Sequence, residues 1–177
     1  MSTSNGFSKT LMFGAIALAC GALYSAPASA VTRSFYQNAG AACHGVNAIN
    51  DSKLTRAAGR LMNNTSSPVD VVCELASDLT ATALGGGVVT YVAVFARPIS
   101  TPYGSMSCVM SEGFFAQSGA ATYQPIGGNP KTFTNGAQIA FSWDPTSTGR
   151  YFYGPISVRC TMPARSELDD TYVAYDH

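Results

Sequence analysis

Charge is scarce in this sequence. Asp, Glu, Lys and Arg make up 11% of its 177 residues, against about a quarter in an ordinary soluble domain. Acids and bases cancel to a formal net charge of zero. That balance gives no electrostatic footprint for nucleic acid or for an anionic membrane surface, so neither is an expected partner. Histidine is scarcer still: only His44 and His177 are present. A Ser–His–acid triad would have to use one of them. His177 is the last residue, His44 abuts Cys43, and no G-x-S-x-G elbow occurs, so that chemistry is not expected. No two cysteines stand at C-x-x-C spacing, and Cys43-His44 lacks the upstream cysteine of a haem-attachment motif. No metal and no cofactor is expected. A helical apolar period is also missing, which excludes a helix bundle.

What is present begins with an export signal. Lys9 precedes the apolar run Leu11–Ala19, and Ala28-Ser29-Ala30 closes the segment. A basic start, a short apolar middle and an A-x-A end make a secretory signal peptide. The run is too short for a membrane span of about 20 residues. Residues 1–30 are therefore read as a signal peptide and 31–177 as one domain, secreted or periplasmic. Leu18-Ala19-Cys20-Gly21 loosely resembles a lipobox. Ala17 stands where that motif wants Leu, so lipidation of Cys20 is not the expected route. Removing residues 1–30 removes Cys20 and leaves four cysteines, an even set suited to two disulfides in an oxidising compartment.

Period two runs through the rest. Val69–Leu75 and Ile156–Met162 each place a cysteine on their apolar side, as does Ser105–Ser111 with Met106, Cys108 and Met110. Gly59–Asn64, Val88–Phe95, Thr122–Ile126, Gln138–Trp143 and Thr171–Tyr175 add further strands, with Val31–Asn38 as an edge strand or arm. Both faces of Val88–Phe95 are apolar, so it is either covered on both sides or carries a partly exposed aromatic face. Lys53–Ala58 reads as one helical turn, and Glu167, Asp169 and Asp170 as an acidic loop. Eight or nine short strands between Gly, Asn and Pro turns predict an all-β, antiparallel sandwich or jelly roll. Four cysteines allow three connectivities. The twin patterns favour Cys73 with Cys160 across the core, leaving Cys43 with Cys108.

The order Asn63-Asn64, Val71-Val72-Cys73, a serine-flanked Cys108, Ser157-Val158-Arg159-Cys160-Thr161-Met162-Pro163 and Tyr172 resembles a group of small exported bacterial proteins of unknown function. The resemblance covers most of residues 31–177 and implies the fold and the export. It brings no catalytic residues.

Candidate chemistry is correspondingly thin. A glycosidase needs two carboxylates about 5–10 Å apart. Asp70, Glu74, Asp78, Glu112, Asp144, Glu167, Asp169 and Asp170 are available, as in almost any domain. The acidic run 167–170 lacks the spacing and glycine of an EF-hand, so solvation explains it better than calcium does. Aromatic rings are the stronger signal. Tyr151-Phe152-Tyr153 cannot all face inward on a strand, so either Phe152 or both tyrosines point out. With Trp143 they form the candidate binding platform, since a rigid ring with a polar edge suits a sugar or a protein partner. Core or rim packing is the competing account of the same rings. The expected function is a non-enzymatic, exported binding or surface-associated module. The alternatives are a small two-carboxylate polysaccharide hydrolase and a fibre or coat subunit joined through a strand edge.

Overall fold

The computed structural model describes residues 32–75, 88–115, 121–127, 131–134, 136–149, 151–153 and 155–176. The expected signal peptide, Cys20 and the loop 78–87 lie outside them. Twelve strands follow in order: β1 Thr32–Asn38, β2 Cys43–Gly45, β3 Leu54–Ala57, β4 Arg60–Asn63, β5 Val69–Leu75, β6 Val88–Pro98, β7 Ser105–Phe115, β8 Ala121–Gly127, β9 Lys131–Thr132, β10 Ile139–Trp143, β11 Ile156–Met162 and β12 Ser166–Asp176. They form two six-stranded sheets. Sheet A runs β10-β6-β12-β4-β3, with β1 also on β12; sheet B runs β2-β5-β11-β7-β8, with β9 also on β7. Every pairing is antiparallel. The sandwich was legible in the period-two pattern; the short strands β2, β3 and β9 were not, because two to four residues carry too little alternation to register.

The core lies between the sheets. Leu61, Val92, Val94, Ala96, Phe141, Leu168 and Val173 come from sheet A, and Val69, Val71, Met106, Met110, Val158 and Met162 from sheet B, all buried. Each is on the inward parity of its strand, and complete burial of a Val, Leu, Met or Phe side chain contributes about 1.5–3 kcal/mol. Strand β12 is the spine of sheet A. Nine of its eleven residues pair with β6 on one side. On the other, Ser166–Leu168 pair with β4 and Asp170–Asp176 with β1, so β4 and β1 lie end to end along it.

The expected disulfides are corrected. The bonds are Cys43–Cys73 and Cys108–Cys160. Neither crosses the core: each joins directly opposed residues on neighbouring strands of sheet B. The twin strands β5 and β11 are indeed neighbours, and both their cysteines point inward. Their register, however, sets Cys73 opposite Val158 and Cys160 opposite Val71. That leaves the two cysteines diagonal, with backbones about 7–8 Å apart, beyond the usual reach of a disulfide.

Two further expectations change. Lys53–Ala58 is not a helical turn. Leu54–Ala57 pairs with β4 through the two-residue loop Ala58-Gly59, whose φ angles are 50° and 81°. Two successive left-handed residues make the hairpin turn whose twist suits the flanking strands. The acidic residues 167–170 are not a loop either, but the first half of β12. Between Leu168 and Thr171 the strand holds one residue more than its partner, a β-bulge at Asp169-Asp170.

Candidate functional site

The four aromatics singled out in sequence separate. Phe152 and Trp143 are buried in the core and cannot face a ligand. That corrects their place in the platform. Trp143 shares the inward parity of Phe141 on β10. Phe152 bridges to Val89 of β6. Its neighbours Tyr151 and Tyr153 point outward, 55% and 53% exposed. The backbone N–H of Tyr153 donates to the buried carboxylate of Glu112 on β7. The segment is thus held by its backbone.

A larger aromatic array lies on the outer face of sheet A. Tyr36 on β1 stands directly opposite Tyr172 on β12, their ring centroids 4.5 Å apart. Tyr91 on β6 meets Tyr172 edge-on at 5.8 Å. The three rings therefore cross three adjacent strands in one row. Tyr36 is 71% exposed, and the other two are half-buried. Ala93 and Ala174 share this face. They stand opposite Tyr172 and Tyr91 and are buried without belonging to the core cluster. Small residues there leave room for the rings to lie over the sheet. Strand β6 continues the face as Tyr91, Ala93, Phe95 and Arg97. The second of the two alternatives for its doubly apolar pattern, a partly exposed aromatic face, is the one found.

The row leads along β12 to a polar pocket of about 320 Å³ lined by Ala58, Arg60, Arg97, Gln138, Asp169 and Asp170. The hairpin turn at Ala58-Gly59 delivers Arg60 to it, and the bulge swings Asp169 toward both arginines. Glu167 and Asp169 keep only 6% and 7% of their side-chain surface exposed. Glu167 Oε1 accepts from Arg97 Nε and, at 3.3 Å, from Arg60 Nη1. Asp169 Oδ1 lies 3.0 Å from Arg97 Nη2 and 3.3 Å from Arg60 Nε. These last two are ion pairs whose angles miss hydrogen-bond geometry. Gln138 Nε2 donates to Asp169 Oδ2 at 2.8 Å. The Glu167 hydrogen bond, and then the charges of Asp169 and Glu167, hold the Arg97 guanidinium above its already high ordinary pKa. Buried carboxylates are tolerable here because each is neutralised twice.

No protein-family model and no curated protein matches this chain. Among solved structures it is similar to the CBM22-1 and GH10 modules of Clostridium thermocellum endo-1,4-β-D-xylanase 10B, crystallised with xylohexaose. The identity is 14% and the TM-score 0.37, over 79% of this chain and 24% of that one.

Sequence reasoning missed this face because its parts are scattered. Tyr36, Tyr91 and Tyr172 come from the two ends and the middle of the chain, and only the register of β12 with both neighbours unites them. A signal did exist, in the alternation of β6. No group of three or more His, Cys, Asp or Glu suited to holding a metal occurs among the described residues. No helix among them is long and apolar enough to cross a membrane.

Proposed function

We propose that this protein is an exported, non-enzymatic β-sandwich binding module whose ligand surface is the outer face of sheet A. The observation that carries the reading is the tyrosine row running into a walled polar pocket, on a face the core does not use. The hydrolase alternative fares worse. Glu167 and Asp169 are the close acid pair it needs, but Glu167 accepts from two guanidiniums and Asp169 is ion-paired with both and accepts from Gln138, so neither is free to hand a proton to a leaving oxygen. The test is retention of the purified protein on cell-wall preparations, comparing wild type with the Tyr36→Ala/Tyr172→Ala double variant. Loss of retention in the variant, with no sugar or peptide released by wild type, supports the module. Steady release of product by wild type overturns it.

A second reading, a subunit joined through strand edges, is favoured by β1. Its seven residues pair only with β12 among the described residues. Six of the seven are exposed, Phe35 and Tyr36 among them. Unpaired N–H and C=O groups on such an edge are a template for another strand. A protein that stays monomeric by light scattering from micromolar to millimolar concentration removes this reading.

A further inference from the structure

Resting on the reading of the sheet A face as a ligand surface, we infer that its ligand is a neutral polysaccharide, stacked on Tyr36, Tyr172 and Tyr91 and hydrogen-bonded through the Arg60–Arg97–Asp170 pocket. Three features of the site select that chemistry. The first is charge. The pocket and its support contain two guanidiniums against three carboxylates, Glu167, Asp169 and Asp170. Such a balance offers no attraction to a polyanion, so nucleic acids and acidic sugars gain nothing there.

The second is hydrogen-bonding capacity. Arg60 and Arg97 are each used by two acids yet remain partly exposed, and a guanidinium carries five N–H donors. Asp170 is half-buried on the pocket wall; its backbone is in the ladder with β1, and its carboxylate has no hydrogen bond or ion pair among the described residues. Donors and acceptors thus stand side by side. A sugar hydroxyl is both donor and acceptor and satisfies each kind at once. A protein partner would instead have to desolvate three charges, Arg60, Arg97 and Asp170, at the centre of its interface, where charged groups are normally depleted.

The third is shape. Tyr172 and Asp170 are two residues apart on the outward parity of β12, roughly 7 Å along the strand. The row and the pocket therefore read one continuous stretch of a chain rather than two separate small molecules. An extended chain of rigid, partly apolar rings edged with hydroxyls fits both parts together, because the flat face of each ring stacks on tyrosine while its rim reaches the pocket.

The experiment is retention on cell-wall preparations after either periodate oxidation, which cleaves vicinal diols, or exhaustive proteolysis. Isolated cellulose and xylan, whose C2–C3 diols periodate cleaves, serve as neutral probes and polygalacturonate as the anionic one. The expected result is retention that survives proteolysis and 0.5–1 M salt (a range in which screening suppresses most charge attraction, about 3–4 Å Debye length), is lost after periodate, and recurs on a neutral probe. Tyr36→Ala and, separately, Asp170→Ala should each weaken binding about tenfold. Tyr36 is so exposed, and Asp170 so free of partners, that neither change threatens the fold; circular dichroism confirms this for each. Retention lost to proteolysis but not to periodate overturns the sugar while leaving the binding module standing, as does binding to polygalacturonate alone. Absence of any tyrosine-dependent retention removes both.

Discussion

Asn63 is fully buried, yet its amide is completely used. Nδ2 donates to the carbonyls of Ser67, Met162 and Pro163, and Oδ1 accepts from the N–H and hydroxyl of Thr65. One side chain thus ties the turn after β4 to the link between β11 and β12. Replacing Asn63 with Ala strands these carbonyls and should cost roughly 2–4 kcal/mol, read as a lower urea midpoint. Asn63→Asp should be no rescue, because a carboxylate would face three carbonyl oxygens. Gly45 is constrained differently. A Cβ there would sit 2.1 Å from the backbone nitrogen of Asp51, so Gly45→Ala must displace the one-turn helix Ala48–Asp51 and is expected to destabilise as well. In the pocket, Glu167→Ala removes the shared acceptor of two arginines. Its expected cost is about 2 kcal/mol, moderated because both guanidiniums can turn to water.

Two devices operate on strand pairs. The disulfides close sequence separations of 30 and 52 residues, each worth about 2–4 kcal/mol against the unfolded chain. Both lie in sheet B, so that sheet is stapled β2 to β5 and β11 to β7, while sheet A relies on the core and its arginine–acid network. Non-reducing peptide mapping should return Cys43–Cys73 and Cys108–Cys160. The double variant Cys108→Ala/Cys160→Ala should lose at least as much stability as Cys43→Ala/Cys73→Ala, since it opens the longer loop. The hairpin β3–β4 offers a change in the opposite direction. Ala58 occupies left-handed space at φ 50°, where a Cβ is strained and Asn is favoured. Ala58→Asn should raise stability by about 0.5–1 kcal/mol, again by urea melting, without disturbing Arg60.

For the molecule as a whole, the surface acids set the response to pH. Asp70 on β5 is held below the usual 3.8, first by the Thr161 hydroxyl and then by the Arg159 guanidinium across on β11. Asp51 is lowered chiefly by its hydrogen bond from Arg56 and then by the Gly45 N–H. Asp144 is lowered chiefly by the Ser147 N–H that it caps. A carboxyl whose pKa is depressed by folding stabilises the folded state above its unfolded value and loses that contribution as pH falls through the folded one. Urea midpoints should therefore hold down to about pH 5 and fall progressively below pH 4. Asp70→Asn should lower the neutral-pH midpoint and flatten the acid limb. An acid limb identical to that of wild type would show that Asp70 is not a source of the pH dependence.

Period-two alternation carried most of the architecture. It needs no partner to be read, because which side of a strand is apolar is a local property. It placed Val69–Leu75 and Ile156–Met162 to the residue and set Cys73, Cys108 and Cys160 inward. Register is not local. The register of β11 against β7 sets Cys160 opposite Cys108, its register against β5 leaves Cys160 diagonal to Cys73, and nothing within Ile156–Met162 specifies either. The same holds for the tyrosine row and the arginine–acid pocket. Residues 36, 91, 172, 60, 97 and 169 meet only because β12 pairs with β6 on one side and with β1 and β4 end to end on the other. Alternation along each strand determined what faces the core; pairing between strands decided what shares the surface, and the candidate site is a property of that pairing.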